Sequence, residues 1–288
     1  MIPRNQFSNF AFESIELDSR GEIAAHSSHE AQRVVVPLPG DVELELVAVG
    51  AGEFDMGSED AEDGRWRAEG PRHRVRIDGF LLGRFPITQR QWRCLASRPP
   101  IERDLPAEPS RFSGENRPVE NIDWHDASEL CRRLSALLGW TVRLPSEAEW
   151  EYACRAGSTT RFHCGETLSP LAANYACESA GATRGSHAAP GETTPVDRFP
   201  ANRFGLHDMH GNVFEWCADV WHADYGGAPS TDAAWLDDGE SKYRPLRGGA
   251  WCTRAQGCRS AYRSAAHESR DHRINTYSMR VAASLTGR

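Results

Sequence analysis

Cys252 and Cys258 are the closest pair among eight cysteines, which stand at positions 94, 131, 154, 164, 177, 217, 252 and 258. They are the pair that could carry chemistry. No pair has the Cys-x-x-Cys spacing of a zinc ribbon or a thioredoxin-type centre. The remaining thiols read as small buried hydrophobes in a reducing compartment. His267-Glu-Ser-Arg-Asp-His272 has the letters of a zinc-protease motif with one residue too many, so its imidazoles would not share a helix face. No Gly-x-Ser-x-Gly elbow occurs. Lys242 is the only lysine, and it sits in Glu-Ser-Lys-Tyr. That context is wrong for a phosphate loop, and its polar surroundings offer nothing to lower the pKa for Schiff-base chemistry.

The elements that must position such residues are partly visible. Val42-Glu-Leu-Glu-Leu-Val-Ala-Val49 alternates as a half-buried strand should. Gly50 and Gly52 turn it into Glu53-Phe-Asp-Met-Gly57, and His73-Arg-Val-Arg-Ile77 alternates again before Phe80-Leu-Leu-Gly83. Thr88-Gln-Arg-Gln91 is a capping box that opens a helix to about Ala96. A second helix starts near Asp123, puts Leu130, Cys131, Leu134, Leu137 and Leu138 on one face, and stops at Gly139. Ser146-Glu-Ala-Glu149 caps a third, with Trp150 turned inward. Residues 1–40 read as polar and irregular, an arm or an added edge strand. From Gly157 to Tyr243 the chain is rich in Gly, Pro, Asn, Asp and Trp with little periodicity, as in a functional or tied-down loop region. Few helices, short strands and many loop aromatics point to an α+β domain.

Composition sets the outer bounds. The 288 residues are 39% hydrophobic and 26% charged, ordinary values for a globular chain with a sizeable core. The net charge of −8 argues against general affinity for nucleic acid or an anionic membrane. No run approaches the roughly 20 apolar residues of a membrane span. Met1-Ile-Pro-Arg-Asn-Gln-Phe7 lacks a signal-peptide block, so the expectation is a cytoplasmic chain, or one displayed on a cell surface or virion by an uncommon route.

Longer motifs carry a resemblance. Gly52-Glu-Phe-Asp-Met-Gly-Ser58, Glu69-Gly-Pro-Arg-His73, Phe85-Pro-Ile-Thr88, Arg117-Pro-Val-Glu-Asn-Ile-Asp-Trp-His-Asp-Ala127 and Arg143-Leu-Pro-Ser-Glu-Ala-Glu-Trp-Glu-Tyr-Ala153 follow one another in order. Gly205-Leu-His-Asp-Met-His-Gly-Asn-Val-Phe-Glu-Trp216 and Arg247-Gly-Gly-Ala-Trp251 complete the set. Together they resemble the formylglycine-generating enzyme (sulfatase-modifying factor) superfamily from about residue 42 to 283. The resemblance implies a C-type lectin-like fold: a small twisted β core, two flanking helices and long loops. It also implies one domain over residues 42–288, with residues 1–41 an accessory segment.

This superfamily holds both enzymes and binding proteins, so fold does not decide function. The enzymes oxidise a target cysteine with Cu(I) held by a Cys-x4-Cys pair shortly after Arg-Gly-Gly. Here the spacing is Cys252-x5-Cys258, and aligning Tyr262-Arg263 with the family's Tyr-Arg displaces Cys258 by one residue. One residue of slip turns a strand side chain to the other face. No catalytic residues and no copper are therefore expected, with a copper-dependent formylglycine-generating oxidase as the alternative.

A different relative fits better. In variable proteins of diversity-generating retroelements the domain ends in a segment resembling Arg-Gly-Gly-Ser-Trp, variable residues, Cys-Arg-Ser-Ala-Tyr-Arg, more variable residues, then Phe-Arg-Val. Here that segment is about residues 247–283. The resemblance implies that Cys252, Thr253, Arg254, Gly257, Ser264, Ala266, Asp271, His272, Asn275, Thr276 and Tyr277 are variable, and each can be encoded by an NNC codon. The implied function is a non-catalytic receptor for an unknown ligand, a protein or cell-surface molecule and not nucleic acid. Exposed variable residues would stand on buried framework residues Trp251, Cys258, Tyr262 and Val281. Residues 244–288 carry nine arginines against Glu268 and Asp271, and the framework residues Arg247, Arg259, Arg263 and Arg280 are expected inside.

The resemblance also implies a structural Ca²⁺ held by the carboxylates of Asp208 and Glu215 and the carbonyls of Gly211 and Val213, hard oxygen donors of the kind calcium takes. A second calcium loop of the family is represented by Asn174-Tyr175, without an acidic partner at the expected distance from Pro195-Val196.

Overall fold

Strand alternation begins earlier than the sequence suggests. A computed structural model describes residues 6–177, 191–268 and 273–285. In it β1 (Phe7–Leu17) and β2 (Ile23–Leu38) form a long antiparallel hairpin, and β2 continues into β3 (Val42–Val49) through a tight turn that pairs Leu38 with Val42. The boundary expected at 41/42 thus falls inside a hairpin. Residues 7–38 are two strands of the main sheet, with β1 the edge strand that is one of the two sequence readings and β2 an inner strand that delivers Val34, Val36 and Leu38 to the core.

With β6 (Phe80–Gly83) and β11 (Ala282–Ser284) these strands make a five-stranded sheet in the order β1-β2-β3-β6-β11. The period of two in β3 serves both faces. Leu44 and Leu46 meet α1 (Gln89–Ala96) and α2 (Trp124–Leu138) through Trp92, Leu95, Leu130 and Leu134. Val47 and Val49 meet the two-stranded sheet of β4 (Gly52–Met56) and β5 (His73–Ile77), together with Trp150 of α3 (Glu147–Arg155). A four-stranded sheet, β10-β7-β8-β9, is built from β7 (Phe214–Trp216), β8 (Tyr243–Arg247), β9 (Ser264–His267) and β10 (Tyr277–Ser278), and adds Trp216, Leu246 and Ala266 to the core on the α1–α2 side.

The three helices start where their side chains say they should. Thr88, Asp123 and Ser146 each accept the N–H three residues on, and Gln91, Asp126 and Glu149 reach back to the cap. Gly139 ends α2 in the left-handed region at φ 73°, which glycine adopts without strain. The resemblance implied two flanking helices; the short α3 is a third, and it carries carboxylates that the site requires.

Candidate ligand-binding face

The C-terminal segment is held from below by four arginines, each no more than 1% exposed. Arg247 donates to Glu147 (3.3 Å) and Glu151 (2.5 Å). Arg263 grips Glu147 through two bonds of 2.8 and 2.7 Å. Arg259 grips Glu69 through bonds of 2.8 and 2.6 Å and reaches Glu62 at 2.5 Å. Arg280 grips Glu215 through bonds of 2.9 and 2.8 Å and donates to the carbonyls of Gly83, Arg84 and His207. Two-pronged guanidinium–carboxylate contacts fix direction as well as distance. Their carboxylates come from α3, from β7, from the short 3-10 turn Arg67–Glu69 and, in Glu62, from the loop before it, so the segment is tied to four parts of the fold. The expectation that these arginines lie inside holds.

Above this layer the expected variable positions divide. Cys252 and Arg254 are exposed, and Thr253, Ser264, Asn275 and Tyr277 are half-buried. Three face inward, contrary to the expectation of exposure. Gly257 lies under Thr253, Ala266 is 5% exposed within the α1–α2 core, and Thr276 is 7% exposed with its carbonyl accepting the Phe214 N–H. Ala266 is inward because the period of two in β9 alternates it with flanking half-buried positions. Asp271 and His272 lie outside the described residues. Of the expected framework, Cys258 and Val281 are fully buried, whereas Trp251 and Tyr262 are only half-buried and border the face.

Residues distant in sequence complete the surface. Trp66, 57% exposed, meets Tyr262 edge to face with ring centres 5.6 Å apart. Phe112 meets Trp251 in the same way at 5.5 Å, and the Trp251 indole N–H donates to the Asn275 carbonyl at 3.3 Å. Tyr277 lies against Trp216 and Phe214. Sequence reasoning missed Trp66 and Phe112. The one signal was an aromatic in a polar loop, next to Arg65 and Arg111 respectively.

The two cysteines sit in unlike surroundings. Cys258 is sealed, with its sulfur near the Thr253 carbonyl at 3.9 Å, and burial pushes its thiol far above the ordinary range. Cys252 is at the surface. A two-thiolate copper centre needs two deprotonated sulfurs at one ion, and this pair does not fit that requirement. Cys154 is equally sealed, its thiol pushed up to about 12 by burial. His210 beside it accepts the His163 N–H (2.9 Å) and lies 2.7 Å from the Cys258 carbonyl, which makes it a neutral structural link. Among the described residues no three His, Cys, Asp or Glu side chains gather as a metal-binding set.

In the loop singled out for calcium, Asp208 is buried with one carboxylate oxygen on Asn212 (3.0 Å) and the other, Oδ1, without a partner. Burial pushes its carboxyl up to about 8. That free oxygen suits a cation. Glu215 has both oxygens engaged by Arg280, and Oε2 also accepts the Trp150 indole N–H at 2.8 Å. The Gly211 carbonyl accepts the Val213 N–H at 2.8 Å. Asn174, from the second loop, donates to Asn212 (3.2 Å) and to the Glu192 carbonyl (2.9 Å), and its Oδ1 has no partner.

Residues 32–285 match the family described as "Sulfatase-modifying factor enzyme 1-like domain". A formylglycine-generating enzyme of Thermomonospora curvata is 28% identical, the match covering 80% of this chain and 93% of that protein. A serine/threonine-protein kinase Pkn1 of Chlamydia trachomatis is 31% identical over 85% of this chain, and the match spans about two-fifths of the kinase's length (39%). Among solved structures, PvdO from Pseudomonas aeruginosa superposes with a TM-score of 0.71 at 34% identity, covering 84% of this chain and 94% of that one. Treponema denticola variable protein 1 superposes with a TM-score of 0.72 at 24% identity, covering 88% and 99%, a likeness of fold. The chain has the C-type lectin-like architecture of these relatives and belongs to the sulfatase-modifying factor enzyme 1-like family.

Proposed function

We propose that the chain is a non-catalytic ligand-binding protein whose C-terminal positions, diversified by a retroelement, form the binding surface. The observation that carries this reading is the contrast within residues 247–281. Four arginines there are locked in buried ion pairs, while Cys252, Thr253, Arg254, Ser264, Asn275 and Tyr277 reach solvent between them. Short polar side chains beside rigid aromatics are the usual make-up of an adaptable binding surface. The fold shared with a variable protein supports the reading. The ligand is a protein or a cell-surface molecule, reached by a display route of its own. Among the described residues no helix is long and apolar enough to cross a membrane.

The gene tests this directly. The variable positions should carry codons ending in C, and a near-copy with AAC in their place should lie beside a reverse-transcriptase gene. Codons of another form and no such copy would remove the retroelement from the reading. The oxidase alternative has its own assay, in which Cu(I)-loaded protein is incubated with a Cys-x-Pro-x-Arg peptide. Turnover that disappears in Cys252→Ala and Cys258→Ala would restore it. For the metal, we propose Ca²⁺ on Asp208 with the Gly211 and Val213 carbonyls, and with Glu215 only if it gives up a bond to Arg280, which holds both its oxygens. Chelation should lower the melting temperature of the wild type, since a ligand of the native state stabilises by mass action, and leave Asp208→Ala unchanged.

A further inference from the structure

Phe112, which completes the face from outside the C-terminal segment, sits in a stretch with no helix or strand of its own. Residues 109–114 are held by side chains instead. Gln89, the first residue of α1, donates to the Phe112 carbonyl at 2.6 Å and accepts the Gly114 N–H at 3.1 Å. Asn121 donates to the Pro109 carbonyl at 2.9 Å, and Ser110 Oγ accepts the Glu120 N–H at 3.1 Å. One tie is of a different kind, because its acceptor can gain or lose a charge. Glu120 Oε1 accepts the Phe112 N–H at 2.9 Å.

Glu120 is 0% exposed, and its other oxygen, Oε2, is buried without a partner. A carboxylic acid tolerates such a place better than a carboxylate, whose charge costs far more to strip of water. Burial accordingly pushes this carboxyl from 4.5 to about 7, against the Phe112 and Arg111 N–H groups and the Arg111 charge. Arg111 is exposed, with its guanidinium 5.8 Å from the centre of the Phe112 ring, and is the cation that bears on Glu120. The other charges on the adjoining elements are engaged elsewhere. Arg93 of α1 pairs with Glu108 and Glu115 at 3.3 and 3.5 Å, and Asp123 and Asp126 at the start of α2 pair with Arg103 and Arg273.

An ionised Glu120 can satisfy its bare oxygen only if residues 109–114 shift to admit water or to bring Arg111 inward. Phe112 moves with that stretch, and its ring meets Trp251 edge to face at 5.5 Å. Trp251 precedes Cys252 and donates to the Asn275 carbonyl at 3.3 Å, so a displacement there reaches two of the positions that face solvent.

We propose that Glu120 is a positioning residue for the binding face: protonated, it holds Phe112 against Trp251, and ionised, it lets that wall go. The face is then firm in mildly acidic surroundings and loose in mildly alkaline ones. That this amounts to control of binding rests on the reading of Trp251 as a border of the ligand-binding face. The movement itself is measured without any ligand, so it can fail while the gene test succeeds, and the reverse.

The test uses the full chain with 5-fluorotryptophan at position 251 alone and nitrogen-15-labelled phenylalanine. Both probes are followed from about pH 5 to about pH 9, two units either side of the expected midpoint. In the wild type the Phe112 amide and the fluorine should titrate together, with one midpoint near 7. Phe112→Leu, which removes the ring that carries the movement, should abolish most of the fluorine shift. Glu120→Gln should hold both probes still across the range, although Asp208 and Asp219 titrate nearby in pH. A Phe112 amide that does not titrate overturns the proposal, as does a fluorine that stays put while the amide moves. An undiminished fluorine shift in Phe112→Leu or in Glu120→Gln overturns it as well. If Glu120→Gln does not fold, the wild type and Phe112→Leu decide between these outcomes by themselves.

Discussion

Arg263 and Ser264 are adjacent in the chain and live under opposite rules. The guanidinium of Arg263 is out of water, held by both oxygens of Glu147, by the Ala68 and His222 carbonyls and by the rings of Trp221 and Tyr225. Ser264 is half-exposed at the start of a strand. The same alternation recurs along the segment, with Arg259 and Cys258 below the surface and Arg254 and Cys252 at it. Residue type therefore does not tell the two classes apart; surroundings do. A buried charge is held to one partner because removing that partner strands the other, whereas an exposed side chain leaves water to fill its place.

The sharpest way to break this contrast is to remove a buried guanidinium. Arg247→Met should leave Glu151 Oε2 without its partner while Oε1 stays on Arg155 and the Gly57 N–H, remove one of three arginine bonds to Glu147, and cost about 3–5 kcal/mol in urea unfolding. A loss below about 1 kcal/mol would mean that the ionic layer is not what holds the segment.

Glu120 offers the next largest effect. It lies beneath the face, accepting the Phe112 N–H at 2.9 Å through Oε1 while Oε2 has no partner. Burial pushes its carboxyl from 4.5 to about 7, against the Phe112 and Arg111 amides and the Arg111 charge, which lower it. The native state thus holds the proton more tightly than the unfolded chain. The resulting stability is fully present below about pH 4.5 and lost as the pH climbs through about 7. Asp208 and Asp219 are raised for the same reason, so the curve to inspect is wild type minus Glu120→Gln. Relative to its value at pH 4, that difference should move in favour of the glutamine variant by up to about 3 kcal/mol by pH 8. A flat difference curve would place Glu120 in ordinary solvent.

Gly257 sharpens the contrast from the other side, as an expected variable position that faces inward. A Cβ there would lie 2.5 Å from Thr253 Cγ2. Gly257→Ala should cost about 1–2 kcal/mol, much of it recovered in the double variant with Thr253→Ala, because the neighbour that must give way is gone. Additive losses would show that the strain lies elsewhere. The smallest effect belongs to the outer positions. Cys252→Ser with Arg254→Ser should stay within about 0.5 kcal/mol of wild type per substitution by thermal unfolding.

Much of this architecture was legible in the sequence where a local rule specifies it. The three helices announce themselves by caps whose partners are three residues away, and β3 to β6 by alternation around glycines. The first hairpin was not legible. Burial in β1 changes phase between Ser14 and Ile15, and the first half of β2 is Ala, His and Ser exposed to water because only β1 covers it. The four buried arginines were legible through their motifs, their partners less so, since Glu69 and Arg259 lie 190 residues apart. Which of the expected variable positions point outward depended on where the strands and turns place them, and the Trp66 and Phe112 walls arrive from loops with no period to read.

The order of strands in the main sheet has a consequence for synthesis. β11 is translated after the four strands it joins, and Arg280, two residues before it, closes onto Glu215, Gly83, Arg84 and His207. A nascent chain therefore cannot complete its sheet until the ribosome has passed through the whole segment from Arg247 onward. A substitution that keeps the inward positions of that segment from fitting leaves an open sheet edge and an unpaired Glu215, the kind of exposed intermediate that cellular proteases and chaperones remove. Folding itself would thus reject a poorly fitting substitution in that segment one molecule at a time, before its outer face is ever complete.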